Sequence, residues 1–252
     1  MYIHTKGKQI RGRGEILKVV IKIGGHILVP QLDSKMVKEY AALLKKLNIR
    51  HHKIVVVVGG GEEARRYIRA AKKVGGSEFI CDVLGIEVSR LNARLLIAAL
   101  GEKAYPEPPK DLEDLRKAFE NNKVIVMGGI QPGQSTNAVG ILAAEAIGAD
   151  LFINATDVDG VYTSDPKTDP NAEKLEVVNT NELLEITSRN KLEAGGYALF
   201  DLVAIKIVER SGISTRILNG RETENIERAM REETVGTLVK PTIGKRKNDS
   251  IS

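Results

Sequence analysis

Three short apolar runs in this chain each end in paired or tripled glycine: VVIKIGG (19–25), VVVVGGG (55–61) and VIVMGGIQPGQST (124–136). A buried strand carries branched apolar residues on both faces, and glycine lets backbone N–H groups approach a ligand with no Cβ in the way. Repetition of that junction predicts several strand ends opening onto one crevice, where open α/β sheets bind ligands. The guests such amides suit are anions, phosphates above all. Lys22 lies inside the first run, two residues before Gly24–Gly25. An ammonium there must reach a strand end or a partner, so it either snorkels to water or meets a transferring phosphoryl group.

The third junction imitates a triphosphate loop. Gly128, Gly133, Gln134 and Ser135 fit G-x-x-x-x-G-Q-S, one residue away from G-x-x-x-x-G-K-[ST]. The missing lysine is the side chain that reaches the terminal phosphates of a nucleoside triphosphate. The residues therefore argue against a conventional phosphate-loop triphosphatase and leave two readings. One is an ordinary capped strand–helix turn. The other is a monophosphate seat at a helix N-terminus carrying Ser135 and Thr136.

Further candidates each carry a plainer alternative. GGGEEARR (59–66) places acids in a first helical turn, where the helix dipole favours them. Arg65, one turn in, either folds over a ligand at the glycines or forms a surface salt bridge, while Arg66 and Arg69 form a solvated face. Asp82 precedes an apolar helix, as a cap or as an acceptor for sugar hydroxyls. In ATDVDGVYTSDP (155–166), Asp157, Asp159 and Asp165 surround Gly160 and Tyr162. That run stops one acid short of a calcium loop and lacks its glutamate. Tyr162 can instead pack on a nucleobase while its neighbours bond base and ribose. Asp201 opens a helix as a cap. Lys206, in the apolar run AIKIV, reads as buried and paired with an aspartate, able to stabilise phosphoryl transfer. His26 reads as a solvated turn residue, with a substrate contact as its alternative, and Cys81, the single cysteine, as a small buried one.

Apolar runs alternating with helical patterns must position these groups, which favours a mostly parallel sheet covered by helices on both faces. The periodicities predict strands at 16–23, 53–58, 123–127, 150–155, 175–178, 215–218 and 237–240. They predict helices at 34–47, from about 64 to the Gly75–Gly76 stop, 83–100, 112–121, 136–147, near 181–189, 201–211 and 222–231. Residues 83–100 form the most apolar helix, interrupted by Glu87, Ser89, Arg90, Asn92 and Arg94, and read as either central or half of a subunit contact. The stretch 156–172 reads as a long polar loop. Two lobes sharing one continuous sheet are expected, about 16–150 and 151–240.

The formal charge of +5 is concentrated at the ends. Residues 1–14 carry Lys6, Lys8, Arg11 and Arg13, and 240–252 carry four bases against Asp249, which leaves the body between them at −2. Residues 1–15 and 241–252 are expected to be flexible basic segments. Only 4% of residues are aromatic, too few to stack bases, so nucleic-acid binding is disfavoured. No apolar stretch is long enough for a membrane span, and a lone cysteine fits a reducing cytoplasm.

Taken together, IKIGG, VVVVGGGEEARRYI, CDVLGI, GGIQPGQST, ATDVDGVYTSDP and DLVAIKIVERSG resemble the amino-acid-kinase family, and within it the archaeal-type uridylate (UMP) kinases. The resemblance spans about 16–240. It implies a three-layer α/β/α sandwich, the amino-acid-kinase fold, with acceptor features in the first half and ATP features in the second. It also implies Mg2+ with ATP as donor, UMP as acceptor, and a homo-hexamer built as a trimer of dimers. By motif position, Lys22, Ile23, Gly24, Gly25, His26, Gly61, Arg65, Thr156, Asp157, Tyr162 and Asp165 would face ATP. Gly60, Asp82, Ile130, Gln131, Pro132, Gly133, Gln134, Ser135 and Thr136 would face UMP. Lys22 and Lys206 would stabilise the transferring group, oriented by Asp201; no residue is assigned to the metal. His26 and Asp157 depart from the pattern, where serine-like and asparagine residues are expected. The implied reaction is Mg-ATP + UMP → ADP + UDP. Two alternatives remain: the same fold with an acetylglutamate, carbamate or isopentenyl phosphate acceptor, or a noncatalytic nucleotide-binding protein.

Overall fold

The apolar runs become the central strands of one sheet, in a computed structural model that describes residues 16–166, 168–192 and 200–242. The expected basic extension and all of the basic tail beyond Thr242 lie outside the described residues. The chain runs β1 (Lys18–Ile23), α1 (Gly25–Leu28), α2 (Lys35–Ile49), β2 (Lys53–Val58), α3 (Gly61–Lys73) and α4 (Glu78–Leu100). It continues through α5 (Leu112–Phe119), β3 (Ile125–Met127), α6 (Thr136–Ile147), β4 (Leu151–Thr156), β5 (Val161–Tyr162), β6 (Lys174–Leu175) and β7 (Val177–Asn179). The last elements are α7 (Thr180–Leu192), α8 (Leu202–Ser211), β8 (Ser214–Asn219), α9 (Glu224–Met230) and β9 (Thr237–Lys240).

Seven strands form one sheet in the order β3-β2-β1-β4-β8-β9-β7. The first five neighbours pair in parallel, and β9 turns antiparallel to β8. Period-two alternation divides the core. Val19, Ile21 and Ile23 point to a face covered by α2, α4 and α9 through Tyr40, Leu44, Leu47, Leu96 and Ile226. Val20, Val55, Val57 and Phe152 point to the other, under α5, α6, α7 and α8 through Leu115, Val139, Leu183 and Ile205. The result is the expected α/β/α sandwich, with both sheet faces dry, as parallel strands require.

Strand order places the binding crevice. The chain steps from β1 outward to β2 and β3, then returns to the far side of β1 with β4, so the carboxyl ends of β1 and β4 form a switch point. All three glycine junctions lie at that edge. Helix starts there are capped as their sequences suggest: Ser135 accepts from Ala138 N–H, Asp201 from Ala204 N–H, and away from the crevice Asp111 accepts from Asp114 N–H.

Three expectations on the elements are corrected. The stretch 156–172 is not all loop, because Val161 and Tyr162 pair antiparallel with Leu175 and Lys174. Their short length hides them from any period-two signal. The anticipated strand at 175–178 is split between that ribbon and the sheet edge. The apolar helix starts five residues early, at Glu78, with Ser77 as its cap. The body also extends slightly past 240, where Thr242 N–H donates to Thr180 Oγ1 at 3.0 Å.

Candidate active site

The first two glycine junctions interlock by backbone. A Cβ on Gly25 would lie 2.3 Å from both Gly59 O and Gly61 N, and Gly61 itself has a φ of +68°. No side chain fits between them, so the two loops approach as closely as peptides can. Strand ladders fix the approach: Gly24 N–H donates to Ala155 O and Gly59 N–H to Ile23 O. Thr136 Oγ1 would sit 3.5 Å from a Cβ on Gly59, which brings the third junction against the second.

Lys22 lies on the α6 side of β1, with Gly140 opposite its Cβ and Asn154 beside it in register. Only 9% of the residue is exposed. Burial pushes its ammonium down to about 8, opposed by the carboxylates of Asp157 and Asp201. Two acids from different elements thus hold one buried cation at the strand end. His26 Nε2 lies 3.6 Å from Asp157 Oδ1. Burial, with Lys22, Arg65 and Arg221, holds its pKa below the ordinary histidine value despite Asp157. The expected solvated turn is corrected here: His26 stands on the single turn α1 with its ring partly covered.

Between the second and third junctions, a cavity of about 180 Å³ is lined by Gly60, Gly61, Asp82, Ser89, Gln131, Gln134 and Thr136, among others. Asp82 does not cap α4; its Oδ2 accepts Gly133 N–H at 2.8 Å, tying the third junction to that helix. Ser135 Oγ donates to Asp201 Oδ2 in a short hydrogen bond, so the same aspartate touches the third junction and acts on Lys22. The Gln134 Oε1 atom is buried with no partner among the described residues. Ile130 packs against the core, and Pro132 is half-buried beside it.

Beyond the first junction, Thr156 ends β4, buried, and its hydroxyl lies 3.3 Å from Asp157 Oδ1. Tyr162 lies on the β5–β6 ribbon, and burial beside Asp159 raises its pKa. Asp165 turns the chain just beyond, its carbonyl accepting Asp169 N–H at 2.8 Å. The neighbouring β8 end is pinned by Gly220 N–H to Thr156 O at 2.7 Å, and by the buried Tyr40 hydroxyl to Gly220 O at 2.7 Å.

Two arginine and lysine readings separate. Arg65 is exposed and 3.5 Å from Glu62, which is the surface pair foreseen as one alternative, although its charge still reaches His26. Lys206 is not buried and does not pair with Asp201. Its side chain is 60% exposed, and Nζ bonds Glu209 one helical turn on at 2.7 Å. The apolar run around it misleads because Ala204, Ile205, Ile207 and Val208 supply the buried stripe of α8, leaving 206 on the opposite side.

Sequence reasoning passed over three residues of α4. Ser89 Oγ accepts Gly129 N–H at 2.7 Å, Arg90 Nε donates to Gly129 O at 3.1 Å, and Asn92 Nδ2 donates to Gly59 O at 2.9 Å and Gly60 O at 3.2 Å. Polar residues within an apolar helix were the available signal. Among the described residues, no three His, Cys, Asp or Glu side chains form a metal cluster. No described helix is long and apolar enough to cross a membrane.

The chain as a whole is similar to known proteins. Relatives described as uridylate kinases include one from Hyperthermus butylicus, 48% identical over 221 residues, covering 88% of this chain and 97% of the relative. Another, from Methanococcoides burtonii, is 46% identical over 219 residues, covering 87% and 93%. A crystal structure of uridylate kinase from Archaeoglobus fulgidus superposes with a TM-score of 0.81 at 42% identity, covering 88% of this chain and all of that one. A UMP kinase structure from Bacillus anthracis, 22% identical with a TM-score of 0.76 over 90% of this chain and 98% of that one, shares the fold. The family model described as amino acid kinase matches residues 18–219, the whole span from the first strand to the end of β8. The chain belongs to the amino acid kinase family.

Proposed function

We propose that this protein is a uridylate kinase, transferring the γ-phosphoryl group of Mg-ATP to UMP to give ADP and UDP. The observation that carries the reading is the cavity in which Gly60, Asp82, Gln131, Gln134 and Thr136 meet, one strand away from the buried Lys22. The archaeal relatives at 46–48% identity support the same acceptor.

In this reading a phosphate oxygen of UMP attacks the γ-phosphorus in line as the bond to the ADP oxygen breaks. The attacking oxygen is already ionised near neutral pH, so positioning and charge stabilisation do the catalysis. Lys22, held charged below about pH 8 by Asp157 and Asp201, faces the transferring group. Backbone amides of the first junction and of Gly61 take the donor phosphates, Gly60 faces UMP, and Thr156, Asp157, Tyr162 and Asp165 take adenosine. Asp82 takes the UMP nucleoside, and Ile130 to Thr136 enclose its base and phosphate, with Pro132 and Gly133 at the turn. Lys206 joins by leaving Glu209; an exposed pair contributes only about 0.2–1 kcal/mol, so the exchange for a phosphate is favourable. A magnesium ion bound with ATP would supply charge neutralisation at the phosphates, and Asp157 and Asp201, the two carboxylates that act on Lys22, fit the one or two protein ligands such an ion takes beside phosphates and waters.

A hexamer assembled from dimers, acting in pyrimidine nucleotide synthesis in the cytoplasm, completes the proposal. Leu91 and Leu95, exposed four residues apart on α4, support a subunit contact there; sedimentation velocity reads the assembly. Coupled ADP release with Mg-ATP across UMP, CMP, acetylglutamate, carbamate and isopentenyl phosphate tests the chemistry. Turnover confined to UMP and close analogues is expected, and preference for a non-nucleotide acceptor would overturn it.

A further inference from the structure

We infer that Asn92 is the positioning residue that turns the Gly60 and Gly61 amides toward the substrate phosphates. The inference rests on the acceptor and donor assignments proposed above. Nothing in the sequence marks this residue beyond its polarity inside an apolar helix, and it touches no proposed ligand group through its own assigned role.

The argument is one of peptide geometry. In a trans peptide the C=O and N–H point in opposite directions, so fixing one fixes the other. One side-chain amide, 6% exposed, donates both to Gly59 O at 2.9 Å and to Gly60 O at 3.2 Å. Those carbonyls belong to the peptides that carry the N–H groups of Gly60 and Gly61. Drawing both carbonyls toward Asn92 directs both N–H groups away from that side chain. Among the described residues neither N–H has a hydrogen-bond acceptor, and both glycines line the cavity. Successive amides presented this way form an anion-binding concavity. Gly60 O also accepts Ala64 N–H at 3.4 Å in the first turn of α3, so Asn92 reinforces that peptide and supplies the fixed donor behind the Gly59–Gly60 peptide; orientation set before the substrate arrives is how preorganised dipoles lower a charged transition state.

The same turn of that helix also holds the third junction. Ser89 holds Gly129 N–H at 2.7 Å, while Arg90 holds Gly129 O at 3.1 Å and Ile130 O at 3.4 Å. Three residues of one helical turn therefore set the orientation of two glycine loops. Asn92 is the member that acts on the loop between donor and acceptor.

The test compares full-length wild type with Asn92→Leu, which keeps size but removes the donor, and Asn92→Asp, which keeps shape and cannot donate. Equilibrium dialysis with UMP and with uridine separates phosphate recognition from nucleoside recognition. Losing one or two hydrogen bonds to a charged group should weaken UMP by roughly tenfold or more, with uridine held within about twofold and kcat lowered alongside. Backbone NMR should show the Gly60 amide resonance moving on addition of UMP and the Gly61 amide resonance moving on addition of ATP in wild type, with both staying still in either variant. Equal loss of uridine and UMP, or unchanged UMP affinity with both amides still responding, would overturn the inference. A wild type that leaves UMP unbound overturns the acceptor assignment instead. Inorganic phosphate then decides the positioning role by the same two resonances, which must move in wild type and not in the variants.

Discussion

Lys22 illustrates how a single residue trades stability for function. Its folded pKa of about 8 lies below the ordinary lysine value of 10.5, with burial as the first cause. Between those values the unfolded chain binds more protons than the folded one, so this group's contribution makes stability rise with pH across that window. Below about pH 8 the buried charge destabilises fully. Lys22→Met should therefore gain on the order of 1–3 kcal/mol at pH 7 by urea denaturation while losing turnover. Activity runs the other way: kcat/KM for ATP should fall as pH rises through about 8 in the free enzyme, because the ammonium is lost. Lys22→Arg should abolish that decline, since a guanidinium stays charged; an unchanged pH profile in the arginine variant would exclude Lys22 as its source. Lys206 makes the contrast. It is exposed and loosely paired, so Lys206→Ala should shift stability by less than about 0.5 kcal/mol. Turnover should fall by roughly a hundredfold or more if it meets the transferring phosphoryl group, as read by steady-state kinetics beside urea melts.

At the scale of elements, the loops matter more for what they exclude than for what they carry. Gly25 sits with backbone on every near side, Gly59 O and Gly61 N at 2.3 Å from any added Cβ. Neither neighbour is a flexible side chain that can retreat. Gly25→Ala should destabilise by roughly 1–3 kcal/mol, as overpacking does, and should raise KM for ATP and UMP together, since both junctions move; a change in only one KM would show that the loops are not coupled. Gly133 is the counterexample: its φ is +79° but nothing lies within 4 Å of its missing Cβ. The spacing of these glycines along the chain is visible in the sequence, yet which of them face each other is not. Their contact depends on β1 pairing with β2, 35 residues away along the chain, while β4 flanks its other side from 132 residues away.

At the scale of the molecule, one sheet joins the proposed acceptor and donor halves. The β1–β4 ladder, from Val19 with Leu151 to Ile23 with Ala155, crosses the boundary near residue 150. A single cooperative thermal transition is expected, followed by circular dichroism. UMP at about a hundred times its Kd should add roughly 2.7 kcal/mol to stability, a rise of about 5–10 °C for a chain of this size. Two separated transitions, with only one raised by UMP, would show that the halves fold independently.

Periodicity and turn chemistry were enough to indicate a mostly parallel sheet covered by helices on both faces, the places of the long strands and helices, and the glycine junctions. These are local signals, set by backbone sterics and the burial of one face, and the seven apolar runs carry them openly. The same reading placed Lys22 correctly inside a strand, because an ammonium among Val and Ile needs partners wherever the strand lies. Tertiary structure alone decided who those partners are: Asp157 after β4 and Asp201 before α8. It also exposed Lys206, since an apolar neighbourhood in sequence says nothing about which side of a helix faces the core. It turned Asp82 from a cap into a clamp on Gly133, and gave Asn92 two carbonyls to hold. Hydrogen bonds of that kind join residues remote in sequence, and only the packing of α4 across the strand ends brings them within reach.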